Sequence, residues 1–169
     1  MFFITSNFYF YLINSKLVCF WSNINFNISV EDDPQVKALI DSGTDYVCIV
    51  GKSSKLHIIK ALQTDVPNAI DMAVDTIKYL KSKNKKVFFD AEHFFDGYKK
   101  DSKTSWEILD SVIQSGDDCF IFCETNGGKR RDEVEMVVSE VWNKDPEEKV
   151  GVEYQRENGC ACEDSRVDG

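Results

Sequence analysis

The chain has 169 residues, of which 43% are hydrophobic and 29% are charged, and its formal net charge at pH 7 is −9. This length and composition are typical of one globular domain with a hydrophobic core, and they exclude a disordered chain. The acidic charge argues against a nucleic-acid partner, because phosphate backbones are bound through an excess of lysine and arginine.

The first fifteen residues are rich in aromatic side chains and precede the first apolar run that predicts a strand. A secretory signal would need a basic region before its apolar stretch, whereas the first lysine here is Lys16. A membrane span would need about 20 apolar residues, and the polar run 5–7 interrupts this stretch. We therefore expect residues 1–15 to form a leader outside the folded domain, and we expect no membrane partner.

Five short apolar runs predict β-strands. They are nearly continuous in apolar residues, which is typical of strands that are buried on both faces of a parallel sheet. The predicted strands are 16–20, 46–50, 86–90, 118–123 and 149–152.

Segments with helical periodicity separate these runs. Gly43 and Gly116 each follow such a segment, and glycine commonly ends a helix because it adopts the left-handed conformation without strain. Alternating strands and helices predict an α/β fold with a parallel sheet and outer helices. The predicted helices are about 33–42, 67–83, 103–115 and 130–142.

Four of the six cysteines lie inside apolar runs: Cys19, Cys48, Cys119 and Cys123. We interpret these four as buried reduced thiols. Cys119 and Cys123 have a spacing that is seen in metal sites, but no second Cys or His pair lies nearby, which argues against a zinc site. Since no pattern indicates an oxidising compartment, we expect a cytoplasmic protein.

Polar and titratable side chains follow each predicted strand, and parallel α/β folds bind ligands beyond the carboxyl ends of their strands. Both histidines of the chain, His57 and His93, lie in these segments. Either one alone is also consistent with an ordinary loop residue. In an extended strand Asp90 and Glu92 would point to the same side, whereas His93 would point away from them.

Several of these segments resemble the isopropylmalate/homocitrate/citramalate synthase family. Residues 87–98, VFFDAEHFFDGY, resemble the fifth-strand segment of citramalate synthases, and residues 123–128, CETNGG, resemble the sixth-strand segment C-D-T-N-G-G. Residues 51–57 resemble the fourth-strand loop G-K-S-x-x-x-H. The resemblance implies that residues 16–169 form a pyruvate-carboxyltransferase-like domain, a partial (β/α)₈ TIM barrel that covers about strands three to seven.

The resemblance also implies a Claisen-type acyltransferase of branched-chain amino-acid biosynthesis. Such enzymes condense acetyl-CoA with a 2-oxo acid, giving citramalate from pyruvate or isopropylmalate from 2-oxoisovalerate, and a Mg²⁺ or Mn²⁺ ion polarises the keto group. Carried over by position, Glu92 is the catalytic carboxylate, His57 borders the substrate pocket and Thr125 contacts the carboxylate of the 2-oxo acid. A full barrel of this kind would form a homo-oligomer.

The chain departs from the family pattern at the metal site. The family holds its ion through an aspartate on strand one and an H-x-H pair on strand seven, and the two histidine positions carry Glu153 and Gln155 here. No residue can be assigned as a metal ligand with that set largely missing, and we expect this chain alone to be inactive. The alternative is a non-catalytic truncated homologue that acts as a binding or oligomerisation module. The run of motifs argues against an unrelated α/β binding module.

Overall fold

The structure is a computed structural model that describes residues 18–22, 28–144 and 149–154. The predicted leader, residues 1–15, lies outside the described residues, and so does Gln155. Among the helices of the described ranges, none is both long enough and apolar enough to cross a membrane.

Five strands form one parallel sheet in which the spatial order follows the chain order. The prediction of adjacent parallel strands is confirmed. Each strand extends further towards its carboxyl end than predicted, because polar residues there continue the ladder with neighbouring strands. The strands are β1 (Val18–Ser22), β2 (Tyr46–Lys52), β3 (Lys86–Glu92), β4 (Cys119–Glu124) and β5 (Val150–Tyr154).

Six α-helices and one π-helical turn, Ile58–Leu62, connect the strands in the described part of the chain. The four predicted helices are present as α1, α3, α5 and α6. The sequence did not predict α2 or α4, since both are short and lie in polar segments that were interpreted as loops. The helices are α1 (Pro34–Asp41), α2 (Lys55–His57), α3 (Val66–Ser82), α4 (Phe94–Lys100), α5 (Ser102–Ser115) and α6 (Arg131–Lys144).

The two faces of the sheet have different roles. Alternate residues of β2, β3 and β4 pack against the helices and form the core with them. This outer face contributes Val47, Ile49, Val87, Phe89, Ala91, Phe120 and Phe122. The opposite, inner face carries the intervening residues, several of which are also buried, including Cys48, Val50, Asp90 and Cys123. Burial on both faces explains why the strands are nearly continuous in apolar residues.

Of the four cysteines that were expected to be buried reduced thiols, Cys19, Cys48 and Cys123 are free. Cys48 and Cys123 are buried, whereas Cys19 and Cys119 are only half-buried. Burial raises the pKa of the Cys48 thiol well above its ordinary value, and the nearby charges of Asp90 and Glu153 add to that effect. Cys48 is therefore a neutral, inert thiol.

Asp118 joins the amino-terminal ends of β3 and β4. Its carboxylate accepts hydrogen bonds from Lys81 Nζ at 2.5 Å, from Lys86 Nζ at 3.2 Å and from the Val87 backbone N–H at 2.8 Å. Burial by itself would raise the pKa of Asp118, but these hydrogen bonds outweigh it and the pKa lies below its ordinary value. The charged form is thus favoured in the folded protein.

Asp118→Asn should lower the free energy of unfolding at pH 7 by about 1 kcal/mol, because a neutral amide loses the attraction of two lysines. A folded-state pKa below the unfolded value stabilises the protein above the ordinary aspartate pKa, and that stabilisation is lost as the pH falls through the lowered value. Urea unfolding at pH 7 and in acid should therefore show a difference that shrinks with acidity. Asp110→Asn, which removes the exposed pair with Lys144, is the control and should change little. A difference for Asp118→Asn that grows with acidity would contradict the prediction.

Candidate functional site

The carboxyl ends of the strands bring charged side chains into one row on the inner face. The backbone register places Lys52 of β2 beside Glu92 of β3, and Cys123 of β4 beside Glu153 of β5. All strands are parallel, so their carboxyl ends meet at the same edge of the sheet. This edge is the rim where the sequence predicted ligand-binding side chains.

Lys52 and Glu92 form an ion pair in this row. Their side chains are only 17% and 20% exposed, respectively, so water screens the two charges less than it would at an open surface. The ladder continues past the strand end, since the Ser53 N–H donates to the Glu92 carbonyl oxygen at 2.9 Å. The pair therefore holds the Glu92 carboxylate in a defined position.

His93 lies at the centre of the candidate site. It has a left-handed backbone conformation, with φ 61° and ψ 26°, immediately before α4. The expectation that His93 points away from Glu92 is wrong, because the left-handed turn ends the extended alternation of the strand. The imidazole instead lies with its Nε2 atom 3.8 Å from Glu92 Oε1.

The turn at His93 brings the three predicted site residues together. The His93 ring stacks face to face on the His57 ring, with 3.7 Å between centroids and an interplanar angle of 4°. The His93 backbone N–H donates to Thr125 Oγ1 at 2.9 Å. His57, Glu92 and Thr125, which end or follow three different strands, thus all contact or closely approach His93.

The stacked imidazoles combine a lowered pKa of His93 with two buried ring nitrogens that have no hydrogen-bond partner among the described residues. Burial lowers the pKa of His93, and the adjacent His57 and Lys52 lower it further, although Glu92 and Asp96 oppose them. His93 is therefore neutral at pH 7. The Nδ1 atoms of both rings are buried without a hydrogen-bond partner among the described residues, which leaves two polar atoms unsatisfied inside the site.

Tight packing between α4 and the loop after β2 supports the stack. A Cβ atom added at Gly97 would lie 2.5 Å from the Ser53 backbone oxygen and 3.0 Å from Ser54 Cα. Only glycine permits this approach. The segment that carries His57 is thereby held against the helix that follows His93.

The loop after β4 is fastened to α4 through Asp96. Asp96 accepts hydrogen bonds from Lys129 Nζ at 2.7 Å and from the Asn126 side-chain amide. Burial alone would raise the pKa of Asp96, but the contacts with Lys129 and Asn126 outweigh it and lower the pKa. The buried Glu124 carboxylate also accepts the Gly128 N–H at 3.1 Å. These contacts fix the loop that carries Thr125.

A second cluster lies beside the Lys52–Glu92 pair. Asp90, Cys123 and Glu153 each offer a ligand atom, and these atoms lie within 4.8 Å of one another. Burial raises the pKa of Asp90 to about 8, and the charge of Glu153 and a hydrogen bond with it contribute, while Lys52 opposes the shift. Two carboxyl groups and one thiol thus share one small volume.

Sequence comparison with known proteins shows that the chain is similar to one group of enzymes. The chain is 36% identical over 152 residues to an (R)-citramalate synthase from Aquifex aeolicus, covering 90% of this chain and 29% of the relative. It is 34% identical over 148 residues to an (R)-citramalate synthase from Streptomyces coelicolor, covering 88% of this chain and 28% of that relative. The chain is citramalate synthase-like. It spans less than a third of the length of these relatives.

The fold comparison agrees with a partial barrel. An HMG-CoA lyase from Bacillus subtilis superposes with a TM-score of 0.74 and 13% identity, covering 90% of this chain and 49% of the lyase chain. At that identity the likeness shows the fold alone, a partial (β/α)₈ barrel. No protein-family model matches the chain.

The described residues do not fit the metal site that the citramalate synthase resemblance implies. The resemblance would place Glu153 at the first of the two histidine positions, where it offers oxygen, but its neighbours in space are Asp90 and Cys123 rather than imidazoles. A thiol is a poor ligand for Mg²⁺, which prefers oxygen. We therefore assign no catalytic step to a metal ion in this chain.

Sequence reasoning placed His57, Glu92 and Thr125 in the site, and their roles stay predictions. It did not select Lys52, His93, Asp90 or Cys123 as site residues, although all four lie within the motif segments that it used. The sequence signal that could have identified them was their position, because each residue follows or ends a predicted buried strand. The sequence could not show which side chains on neighbouring strands they contact, since such contacts depend on the register of the strands.

Proposed function

We propose that this chain provides part of the active site of a Claisen-type acyltransferase that condenses acetyl-CoA with a 2-oxo acid. The substrate pair would be pyruvate giving citramalate, or 2-oxoisovalerate giving isopropylmalate, in the isoleucine and leucine branches of amino-acid biosynthesis. The convergence of His57, Glu92 and Thr125 around His93, in a segment that is similar to citramalate synthases, carries the proposal. We further propose a cytoplasmic location, and a homo-oligomer where the full barrel is present.

The contacts suggest how a 2-oxo acid would be held. Thr125 Oγ1 accepts the His93 N–H, so its own hydroxyl proton remains available to donate to a substrate carboxylate. The cation of Lys52 lies at the same rim and would attract the anion. His57 would border the pocket, and Glu92, fixed by Lys52, would orient water or polar groups near the keto carbon.

Pyruvate binding tests this proposal without requiring turnover. Saturation-transfer NMR should detect pyruvate bound to the purified chain, and Thr125→Val should weaken binding about 10-fold or more, because a hydrogen bond to a charged group contributes about 1.5–3 kcal/mol. Thr125→Ser keeps the hydroxyl and should bind nearly as well as the wild type. The control is Thr64→Val, in the segment between the π-helical turn and α3, which should have no effect.

Circular dichroism should accompany each variant to confirm that the fold is intact. Pyruvate binding that is equal in Thr125→Val and in the wild type would exclude the proposed role of Thr125. No detectable binding of pyruvate or 2-oxoisovalerate by the folded wild-type chain would favour the alternative, a non-catalytic homologue that serves as a binding or oligomerisation module.

A further inference from the structure

The inner face of β3, β4 and β5 carries a group of potential metal ligands from three different strands. Asp90 and Cys123 are both 0% exposed, and Glu153 lies at the partly exposed end of β5. Their ligand atoms all lie within 4.8 Å of one another, a separation that allows one ion to bridge them. The three strands are adjacent in the sheet, so the backbone holds the donors in place.

The hydrogen bonds of the buried Asp90 carboxylate leave room for a cation among these three side chains. Its Oδ1 atom accepts a hydrogen bond from Cys123 Sγ. Its Oδ2 atom is buried and, among the described residues, has no hydrogen-bond donor other than the side chain of Glu153. A buried carboxylate oxygen that faces a second carboxylic acid costs free energy. A cation bound between Asp90 and its neighbours would remove that cost.

We propose that Asp90, Cys123 and Glu153 bind a thiophilic divalent cation of the Zn²⁺ type. One thiolate and two carboxylates are ligands that Zn²⁺ accepts, and three protein ligands leave a fourth position open. On binding, the Cys123 thiol releases its proton to solvent and the thiolate becomes the ligand. Asp90, whose pKa is raised to about 8, likewise gives up its proton to solvent when the cation binds.

This ligand set differs from the one that the family resemblance implies. Glu153 occupies one of the strand-seven histidine positions, whereas Asp90 and Cys123 belong to strands that contribute no ligand in that set. The thiolate also reverses the metal preference, since sulfur favours Zn²⁺ or Co²⁺ over Mg²⁺. Cation binding at this site does not depend on the condensation reaction. An experiment that contradicts the cation site would therefore leave the proposed acyltransferase function untouched, and the reverse also holds.

Cobalt spectroscopy on the purified, metal-free full chain tests the site. Titration with CoCl₂ should produce a thiolate-to-cobalt charge-transfer band that saturates at one ion per chain. ZnCl₂ should displace the cobalt and remove the band, whereas MgCl₂ in the same range should not. Zinc-edge X-ray absorption of the wild-type protein should show one sulfur neighbour at about 2.3 Å and oxygen neighbours at about 2.0–2.2 Å.

Variants identify the ligands. Cys123→Ser should abolish the charge-transfer band, while Cys119→Ser, on the same face of the same strand, should retain it. Glu153→Gln, at the partly exposed strand end, should weaken cobalt binding about 10-fold or more, since even groups that only orient a ligand contribute 10–100-fold. The proposal is overturned if the wild type gives no such band, if zinc-edge absorption shows no sulfur neighbour, or if Cys119→Ser rather than Cys123→Ser removes the band.

Discussion

Purified chain incubated with acetyl-CoA, pyruvate and Mg²⁺ or Mn²⁺ should release little or no coenzyme A. Both deprotonation of acetyl-CoA and attack on a ketone develop negative charge on oxygen, and a metal ion contributes several kcal/mol to its stabilisation. By the family resemblance, Glu153 would stand at one of the metal-binding histidine positions and Gln155 at the other. Loss of groups that merely orient a ligand costs about 10–100-fold in affinity or activity, so replacing the ligands themselves should cost more.

A thiol-detection assay for released coenzyme A measures this directly, with the Aquifex aeolicus (R)-citramalate synthase as the positive control. The double variant Glu153→His, Gln155→His supplies the H-x-H pair and should strengthen Mn²⁺ binding relative to the wild type. Robust turnover by the wild-type chain that EDTA abolishes would show that the native residues suffice as ligands. Glu153 would then be the first residue to test.

Lys52→Met should lower the free energy of unfolding by about 2–3 kcal/mol, at or below the roughly 3–5 kcal/mol that breaking a fully buried ion pair costs, because this pair is partly exposed. The Lys52 and Glu92 side chains are 17% and 20% exposed, so the substitution would leave the Glu92 carboxylate in a poorly hydrated place without the cation that pairs with it. The same substitution removes the positive charge that opposes the raised pKa of Asp90. Urea denaturation at neutral pH gives the change in free energy.

Lys99→Met is the matched control for this measurement. It removes a lysine from the pair with Glu133, in which the side chains are 68% and 32% exposed. Exposed pairs contribute about 0–1 kcal/mol, so this variant should be close to the wild type. Equal destabilisation by Lys52→Met and Lys99→Met would mean that the Lys52–Glu92 pair has no special role in the sheet. The double variant Lys52→Met, Glu92→Leu should recover part of the lost stability, because it leaves no unpaired charge.

The strands and the longer helices could be predicted from the sequence because their signals are local. An apolar run such as 46–50 or 118–123 reports burial on both faces of a sheet, and Gly116, with φ 86° in the structure, ends α5 as predicted. Parallel pairing followed from the alternation of strands with helices, since neighbouring parallel strands need a crossover connection. The family resemblance rested on contiguous residues, which the sequence displays directly.

Only the tertiary structure decided how the site is assembled. His93 leaves the strand alternation through a positive φ of 61°, a conformation that no local pattern encoded, and this turn places its ring on His57. The grouping of Asp90 with Cys123 and Glu153 depends on the register of three strands that are far apart in the sequence. Register is set by packing of the whole sheet against its helices. The sequence therefore determined which polar side chains reach the rim, and the fold determined which of them meet.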